Sequence, residues 1–508
     1  SSFKIDDYSE ETYQNTIKER DLKFCEGPFI TEDEATQHLK ESGISRPWRW
    51  LPLRRFGVPQ QGSIRGVDDA AENGANDTSS REEKLVTSSV DAIVNLIRCW
   101  VSLLGSEPDL GGWAMDEYKA YRQIPVEAEE RRFCVITVVN PNENPKTSEN
   151  EPGFEPRPEF FVMNGHCFGF TNAVYNYNRR PLALNEILVR EFRIPTDFYY
   201  DDRWGIEPRR TIASAFATVE AVTSMLGIRI QEDKIQGPPV LKKKNEKGDL
   251  VEHENPTPWK DPELLGVLFD LEKLEVKVKP GRRQDLEAEI KGILEARVLS
   301  PGHASKLRGR LFFLTGTLFG RIGRAFMRPL SERQYEFQYE KRRGLQSDKY
   351  KINDAIEDAL KSWLMILERG RPRPIRELRP GPADAVFFSD GKGIAPEDPP
   401  GTKNQVGAVM IAWWRESPVG FEMVVPDRLR RTWLPRKNQI ALVELFAAVL
   451  VLSHFGPELS GKRVIGLVDS ECALDALIKG QSKFEDIIKL VKQFWDLVAE
   501  HQIDVYLD

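Results

Sequence analysis

"FYYDDRWGI", residues 198–206, sets three aromatic residues ahead of two adjacent aspartates. Read locally, Asp201 and Asp202 are turn residues at the tip of a hairpin, their side chains bonded to their own backbone. Read as chemistry, they are half of a metal site that needs a carboxylate from another strand. "GGWAMDEYKAYRQIPV" supplies one, because the short apolar strand Trp113 to Met115 ends on Asp116. Mg²⁺ takes one or two carboxylates plus substrate phosphates, so one acid from each strand suffices. Two such ions about 3.5–4 Å apart stabilise the attacking and leaving oxygens of an in-line phosphoryl transfer. Neighbouring strand side chains point to opposite faces, so the two aspartates are not equivalent ligands. Asp116 and Asp201 are the expected bridging pair, with Asp202 secondary.

Composition sets the frame for that reading. A chain of 508 residues, 40% hydrophobic and 30% charged, is expected to be a globular protein of about three domains. No run of about 18 apolar residues is present, and the first residues lack the basic and apolar regions of a signal peptide, so no membrane partner and an intracellular location are expected. Five cysteines without CxxC spacing argue against a structural zinc or a disulfide framework. The last residues, "HQIDVYLD", read as a strand, and the chain is expected to be part of a longer one. A net charge of −7 argues mildly against nucleic acid. Its distribution argues the other way: from Ser300 to Ser331 the only charged residues are Lys306, Arg308, Arg310, Arg321, Arg324 and Arg328. Phosphate binding needs only such a local track, although a basic run is also an ordinary solvated face.

Along the chain, residues 1–45 are charged and poorly periodic and read as a peripheral helical extension. Short strands with Gly/Pro turns follow from Trp48, then an amphipathic helix in "SREEKLVTSSVDAIVNLIRCWVSLLG". "FCVITVV" and "EFFVMNG" read as a long hairpin, followed by a helix at 171–191, the aspartate hairpin, and a helix through "RTIASAFATVEAVTSMLG". Strands and helices alternate as in an α+β layout. Helices dominate from Gln284 to Leu330, and a basic tether runs to about Pro382. Beyond it, strands "AVFFSDG", "QVGAVMIAWW", "RVIGLVDS" and "IDVYLD" with helices between them make a separate α/β unit.

Five stretches fall in a distinctive order: "MDEYKAYRQIPV", "CFGFTNAVYNYNRRP", "FYYDDRWGI", "LGIRIQEDKIQGP" and "LLGVLFD". In order and approximate spacing they resemble the palm motifs of retroelement reverse transcriptases, and the upstream "RRFGVPQQGSIRGVDD" resembles their fingers motif. The resemblance covers roughly Trp48 to Leu330, and the order of the set is more specific than any one piece. It implies that Asp116, Asp201 and Asp202 are the metal-binding catalytic carboxylates and that Lys234 assists pyrophosphate departure. It implies that Tyr121 is the aromatic gate against a 2′-hydroxyl, the group that separates ribo- from deoxyribonucleotides. Phe168, Gly169 and Ala173, with Tyr177 as the final aromatic, match the loop and helix that brace template base and nucleotide. Arg65 matches the arginine that grips the triphosphate, where a planar fork suits phosphate oxygens. Read without the resemblance, Tyr121 and Phe168 are core aromatics and Arg65 a solvated loop charge. The chain departs from the pattern at Gln60 or Gln61, where a lysine is usual, at Cys167 and Val174, where proline is usual, and at Glu117, where an apolar residue is usual.

In the last unit Asp390 ends one strand, Glu444 lies on an apolar helix and Asp469 ends another strand, a pattern that resembles the ribonuclease H fold and its two-metal hydrolysis of RNA in a hybrid. A glutamate inside an apolar helix is costly to bury unless paired or metal-bound. A fourth acid is expected beyond Asp508, which itself sits early for that role.

The fold class expected is therefore α+β: a right-hand polymerase of fingers, palm and thumb followed by an α/β ribonuclease H-like domain. The expected segments are an N-terminal extension (1–45), fingers and palm (46–262), thumb (263–330), connection or tether (331–383) and a ribonuclease H-like domain (384–508). The resemblance implies an RNA-directed DNA polymerase of a retrotransposon Pol protein, with two Mg²⁺, or Mn²⁺, per active site. Its partners would be an RNA template, a DNA primer, the RNA/DNA hybrid and dNTPs, with Lys306, Arg308, Arg310, Arg321 and Arg324 on the hybrid backbone. "GRIGRAF" and the tether lean toward tyrosine-recombinase (DIRS-type) elements. Two other readings stay open: a degenerate polymerase fold kept as an RNA-binding scaffold, and an RNA-templated RNA polymerase.

Overall fold

The structure is a computed structural model that describes residues 5–508 apart from 61, 81–82, 106, 142–157, 246, 318–321, 344–349, 370–371, 376–382, 395–397, 400, 437–438 and 483. The chain folds as two units. The first comprises Ser1–Ser89 and Leu110–Pro262, the second Val90–Asp109 and Glu263–Asp508. Among the described residues, no helix is long and apolar enough to cross a membrane.

The first unit opens with α1 (Ser9–Asp21), β1 (Cys25–Phe29), α2 (Glu32–Glu41), β2 (Leu53–Gln60) and β3 (Ser63–Asp69). After α3 (Val90–Leu104), which belongs to the second unit, come β4 (Leu110–Asp116), β5 (Val135–Val139), β6 (Pro158–Met163) and α4 (Thr171–Arg190). It continues with β7 (Thr196–Tyr199), β8 (Asp202–Pro208), α5 (Arg209–Met225) and the hairpin β9 (Val240–Lys244) and β10 (Leu250–Glu254). One sheet runs β1-β6-β5-β2-β3 and a second, antiparallel sheet runs β4-β8-β7. Buried positions on α5 recur at Ile212, Ala215, Phe216, Val219 and Val222, the helical spacing that lays one stripe on a sheet. They pack with Trp113, Met115, Leu184, Leu188 and Trp259 into the core beneath β4.

Two expectations need correction here. Residues 1–45 are not a peripheral extension: β1 pairs with β6, and α1 buries Tyr13, Thr16 and Glu19. The charged composition misled because Glu19 is buried as part of an ion-pair network. The helix expected from residue 80 begins at Val90; Ser88 donates its N–H to the Phe198 carbonyl (3.0 Å), so this segment is docked as extended chain.

The second unit holds β11 (Glu263–Leu264), β12 (Val267–Asp270), β13 (Glu275–Lys277), α6 (Pro280–Ala296), α7 (Pro301–Thr315), α8 (Arg328–Arg343), α9 (Asp354–Arg369) and β14 (Arg373–Pro374). Helix α7 starts where Ser300 accepts the His303 N–H (3.2 Å) and Pro301 takes the first turn, where no donor is needed. Leu286 and Ile290 of α6, Leu307 and Leu311 of α7, and Ile356, Leu360 and Trp363 of α9 share one buried core. The expected division between 330 and 331 falls inside that core, so α9 belongs to the helical core and not to a tether; residues 376–382 of the expected tether lie outside the described residues. Its basic composition concealed the apolar stripe of α9.

Next come β15 (Ala385–Lys392), β16 (Gln405–Ala412), β17 (Val419–Val424), α10 (Asp427–Arg430), α11 (Ile440–Phe455), β18 (Arg463–Val468), α12 (Glu471–Lys479), α13 (Glu485–Glu500) and β19 (Asp504–Leu507). Their sheet runs β17-β16-β15-β18-β19, antiparallel in its first half and parallel in its second. Strand β17 was missed in the sequence because its outer positions are mostly exposed and carry no apolar alternation.

Candidate active site

In the first unit, β7 and β8 pair with Tyr199 opposite Asp202, which leaves Tyr200 and Asp201 as the turn. Tyr200 takes the left-handed conformation (φ 56°) that so tight a reversal requires. The turn reading and the metal reading of the two aspartates are therefore compatible. Strand β4 pairs with β8 so that Asp116 lies opposite Asp202, and the Glu117 N–H donates to the Asp201 carbonyl (3.1 Å). All three carboxylates gather at one end of one sheet, and Asp202, expected as secondary, is the direct cross-strand partner of Asp116.

Their electrostatics follow from crowding. Desolvation, then the charge of Asp116, pushes Asp201 up to about 6. Asp202 is exposed at the sheet end, yet desolvation followed by the charges of Asp116 and Asp201 pushes it up to about 7. Lys234 pairs its ammonium with Asp116 and so puts a cation among the acids. It sits on a single turn, Glu232–Lys234, that β9 grips from outside: Lys242 pairs with Glu232 (2.8 Å) and Lys244 with Asp233 (3.1 Å). The donor set is all oxygen, under mutual repulsion and already drawing a cation, but its carboxylate oxygens do not all lie within 4.8 Å of one another.

The other expected residues of this unit lie beside the acids. The Arg65 guanidinium stacks 4.0 Å over the Phe168 ring. Phe168 meets Tyr121 edge-on (centroids 5.6 Å), and Tyr121 lies against Tyr177 (4.9 Å). Desolvation, then Asp201, pushes the Tyr121 phenol up to about 12, so this ring is within electrostatic reach of the acids. Gly169 has φ 140°, and a Cβ there would stand 1.9 Å from the Asp68 carbonyl oxygen, so no other residue fits.

Asp68, together with Arg55 and Arg122, is what sequence reasoning missed. Asp68 is fully buried; it accepts from Arg55 (2.6 Å), from Arg122 (3.1 Å) and from the Phe168 N–H (3.0 Å), while its own N–H donates to the Phe168 carbonyl (2.8 Å). Glu19 joins from α1, bonded to Arg55 (3.0 Å), Arg122 (3.3 Å) and Lys119 (2.9 Å). Against the desolvation of burial, Arg122, Arg55 and Lys119 hold its carboxyl far below the usual range. The available signal was the cross-strand pairing of Arg55 with Asp68 in two strand-like stretches.

In the second unit Asp390 lies on β15, Glu444 on α11 and Asp469 just past β18, where Ser470 caps α12 by accepting the Ala473 N–H (3.3 Å). Among the described residues, these are the one group of three whose ligand atoms all fall within 4.8 Å of one another. Gly391 permits it: a Cβ there would lie 2.8 Å from the Glu444 backbone nitrogen. One Glu444 carboxylate oxygen is buried without a hydrogen-bond partner. Desolvation, then Asp390 and Asp469, pushes the group up to about 7. An orphaned buried oxygen among three acids fits a divalent cation. Asp508, set aside on its position in the sequence, lines the same groove as Asp390 and Asp469.

The basic run does not form one track. Lys306 and Arg310 are exposed and one helical turn apart on α7, with Arg310 paired to Glu289. Arg308 turns away and bonds Ser331 (2.7 Å), and Arg324 packs over Phe312 (5.7 Å). A two-residue offset on a helix turns side chains to different faces, which a count of charges does not register. Arg321 lies outside the described residues.

Folded pKa values raised above the unfolded ones mean stability that is present below about pH 4 and is lost as pH rises toward 7. Glu444→Gln is expected to raise the melting temperature of the metal-free protein at pH 8 by ~1–4 °C, Asp202→Asn by less because its exposed carboxyl is screened by solvent, and both to leave it unchanged near pH 4. Thermal melts at the two pH values, with and without Mg²⁺, check this; Mg²⁺ should stabilise the parent more than either variant. Compared with protein-family models and with curated proteins, the chain gives no match.

Proposed function

We propose that this chain is an RNA-directed DNA polymerase with a ribonuclease H activity on the RNA strand of hybrids, from a retrotransposon Pol protein. The observation that carries the reading is the meeting of Asp116, Asp201 and Asp202 at one sheet end with Arg65, Phe168 and Tyr121 alongside. In this reading the first unit carries fingers and palm, the α6–α9 helices carry the thumb and connection, and β15–β19 with their helices are the ribonuclease H-like domain.

Asp116, Asp201 and Asp202 would hold Mg²⁺, as Asp390, Glu444 and Asp469 would in the second unit. Bound there, the ion would supply charge neutralisation at the attacking and leaving oxygens of phosphoryl transfer. Arg65 offers its planar donors to triphosphate oxygens, and its stack on Phe168 fixes the plane of the fork. Tyr121, backed by Tyr177, closes the space a 2′-hydroxyl would need. Lys234 keeps its proton because, against desolvation, Asp116 and then Asp201 and Asp202 raise its pKa; it would give that proton to a departing pyrophosphate oxygen. Lys306 and Arg310, on one face of α7, are suited to a hybrid backbone.

The test is nucleotide choice on an RNA template with Mg²⁺. Incorporation of dNTP over rNTP supports the reading; rNTP preference would favour an RNA polymerase, and hybrid binding without incorporation would favour a scaffold.

A further inference from the structure

Glu117 stands where the sequence pattern leads one to expect an apolar residue, and it is buried. Burying a carboxylate is costly unless it is paired, and a packed apolar side chain would fill the space without that cost. Its partners show where the cost goes. The Tyr177 hydroxyl donates to Glu117 Oε2 (2.9 Å), and Arg180, on the same helix as Tyr177, pairs with the same carboxylate. The Arg180 guanidinium also lies 5.4 Å from the centre of the Tyr177 ring. Tyr177 is wholly buried, and its ring lies against that of Tyr121, with centroids 4.9 Å apart and planes 33° apart. The backbone of Glu117 is pinned as well, through its N–H to the Asp201 carbonyl. A chain of fixed contacts thus runs from the hairpin of the acids through Glu117 and Tyr177 to the ring of Tyr121.

We infer that Glu117, acting through Tyr177, is a positioning residue that sets sugar discrimination at Tyr121. This rests on the polymerase reading. A gate excludes one hydroxyl only if its ring cannot retreat, and the hydrogen bond at the far end of Tyr177 denies the supporting ring its freedom to slide. Phe168 closes the other side of Tyr121, edge-on, and is itself held by Asp68.

The experiment measures kcat and KM for a dNTP and for the matching rNTP on an RNA template primed with DNA, in the full chain with Mg²⁺. Tyr177→Phe keeps the ring and the core volume and removes only the hydroxyl. Glu117→Leu removes the acceptor, and Glu117→Gln keeps an acceptor for the Tyr177 hydroxyl. The ratio of kcat/KM for dNTP to that for rNTP is expected to fall about tenfold or more in Tyr177→Phe and Glu117→Leu, chiefly through a lower KM for the rNTP. Glu117→Gln should restore most of the ratio. If Tyr177→Phe lowers both substrates together and leaves the ratio unchanged, Glu117 and Tyr177 are only packing and the inference is overturned. Should Glu117→Leu fail to fold, Tyr177→Phe alone decides. A parent that incorporates neither nucleotide removes the polymerase reading and this inference with it, an outcome distinct from an unchanged ratio.

Discussion

Asp116→Asn is expected to lower DNA synthesis by on the order of 10³-fold or more, with little change in melting temperature at pH 8. The size of the effect follows from position. Asp116 ends β4 directly opposite Asp202, and it is the acid that both Asp201 and Asp202 feel most strongly after desolvation. In the proposed metal site, removing its charge leaves the two acids of β8 and its turn without a carboxylate from the facing strand. The small stability effect follows from two opposed changes. The variant gives up the pair with Lys234, whose side chain is largely exposed and so contributes little. It also relieves repulsion on the two acids of β8 and its turn. Steady-state extension rates and thermal melts on the same preparations check the two halves separately. A large loss of rate with an equally large loss of stability would point to damage to the fold instead.

Asp68→Ala is expected to destabilise the first unit by about 3–5 kcal/mol, the largest stability effect of any substitution proposed. Asp68 is fully buried between Arg55 and Arg122, themselves almost fully buried. Its removal strands two guanidiniums that share only Glu19, and burial without a counter-charge is what makes such breaks costly. The Phe168 N–H loses its acceptor at the same time. Denaturant unfolding measures the loss. At temperatures where the variant stays folded, its KM for dNTP should rise, because the turn that carries Phe168 and Gly169 keeps only its backbone bond to residue 68 and the Asn76 contact.

Much of this architecture is legible in the sequence where a local pattern does the specifying. The apolar stripe of α5, the strand that ends on Asp116 and the strands flanking Asp390 and Asp469 each carry their own periodicity, and each forms where expected. Placement of charge inside the fold was not legible. Glu19, Arg55, Asp68 and Arg122 look like solvated residues in a charged composition, and only pairing across β2, β3 and α1 makes them a buried cluster. The basic run of α7 failed for the converse reason: close in sequence, Arg308 and Arg310 leave the helix on different faces and find different partners. Register was equally hidden. Sequence offered three acids, but only the pairing of β4 with β8 sets Asp202 opposite Asp116 and leaves Asp201 to the turn.

If the aspartates of "FYYDD" serve nucleotidyl transfer with Asp116, as proposed, a labelled DNA primer on an RNA template with dNTPs and Mg²⁺ is extended by the parent and not by Asp201→Asn at matched hybrid binding. Hybrid binding by both with extension by neither, or equal extension by both, would contradict that proposal.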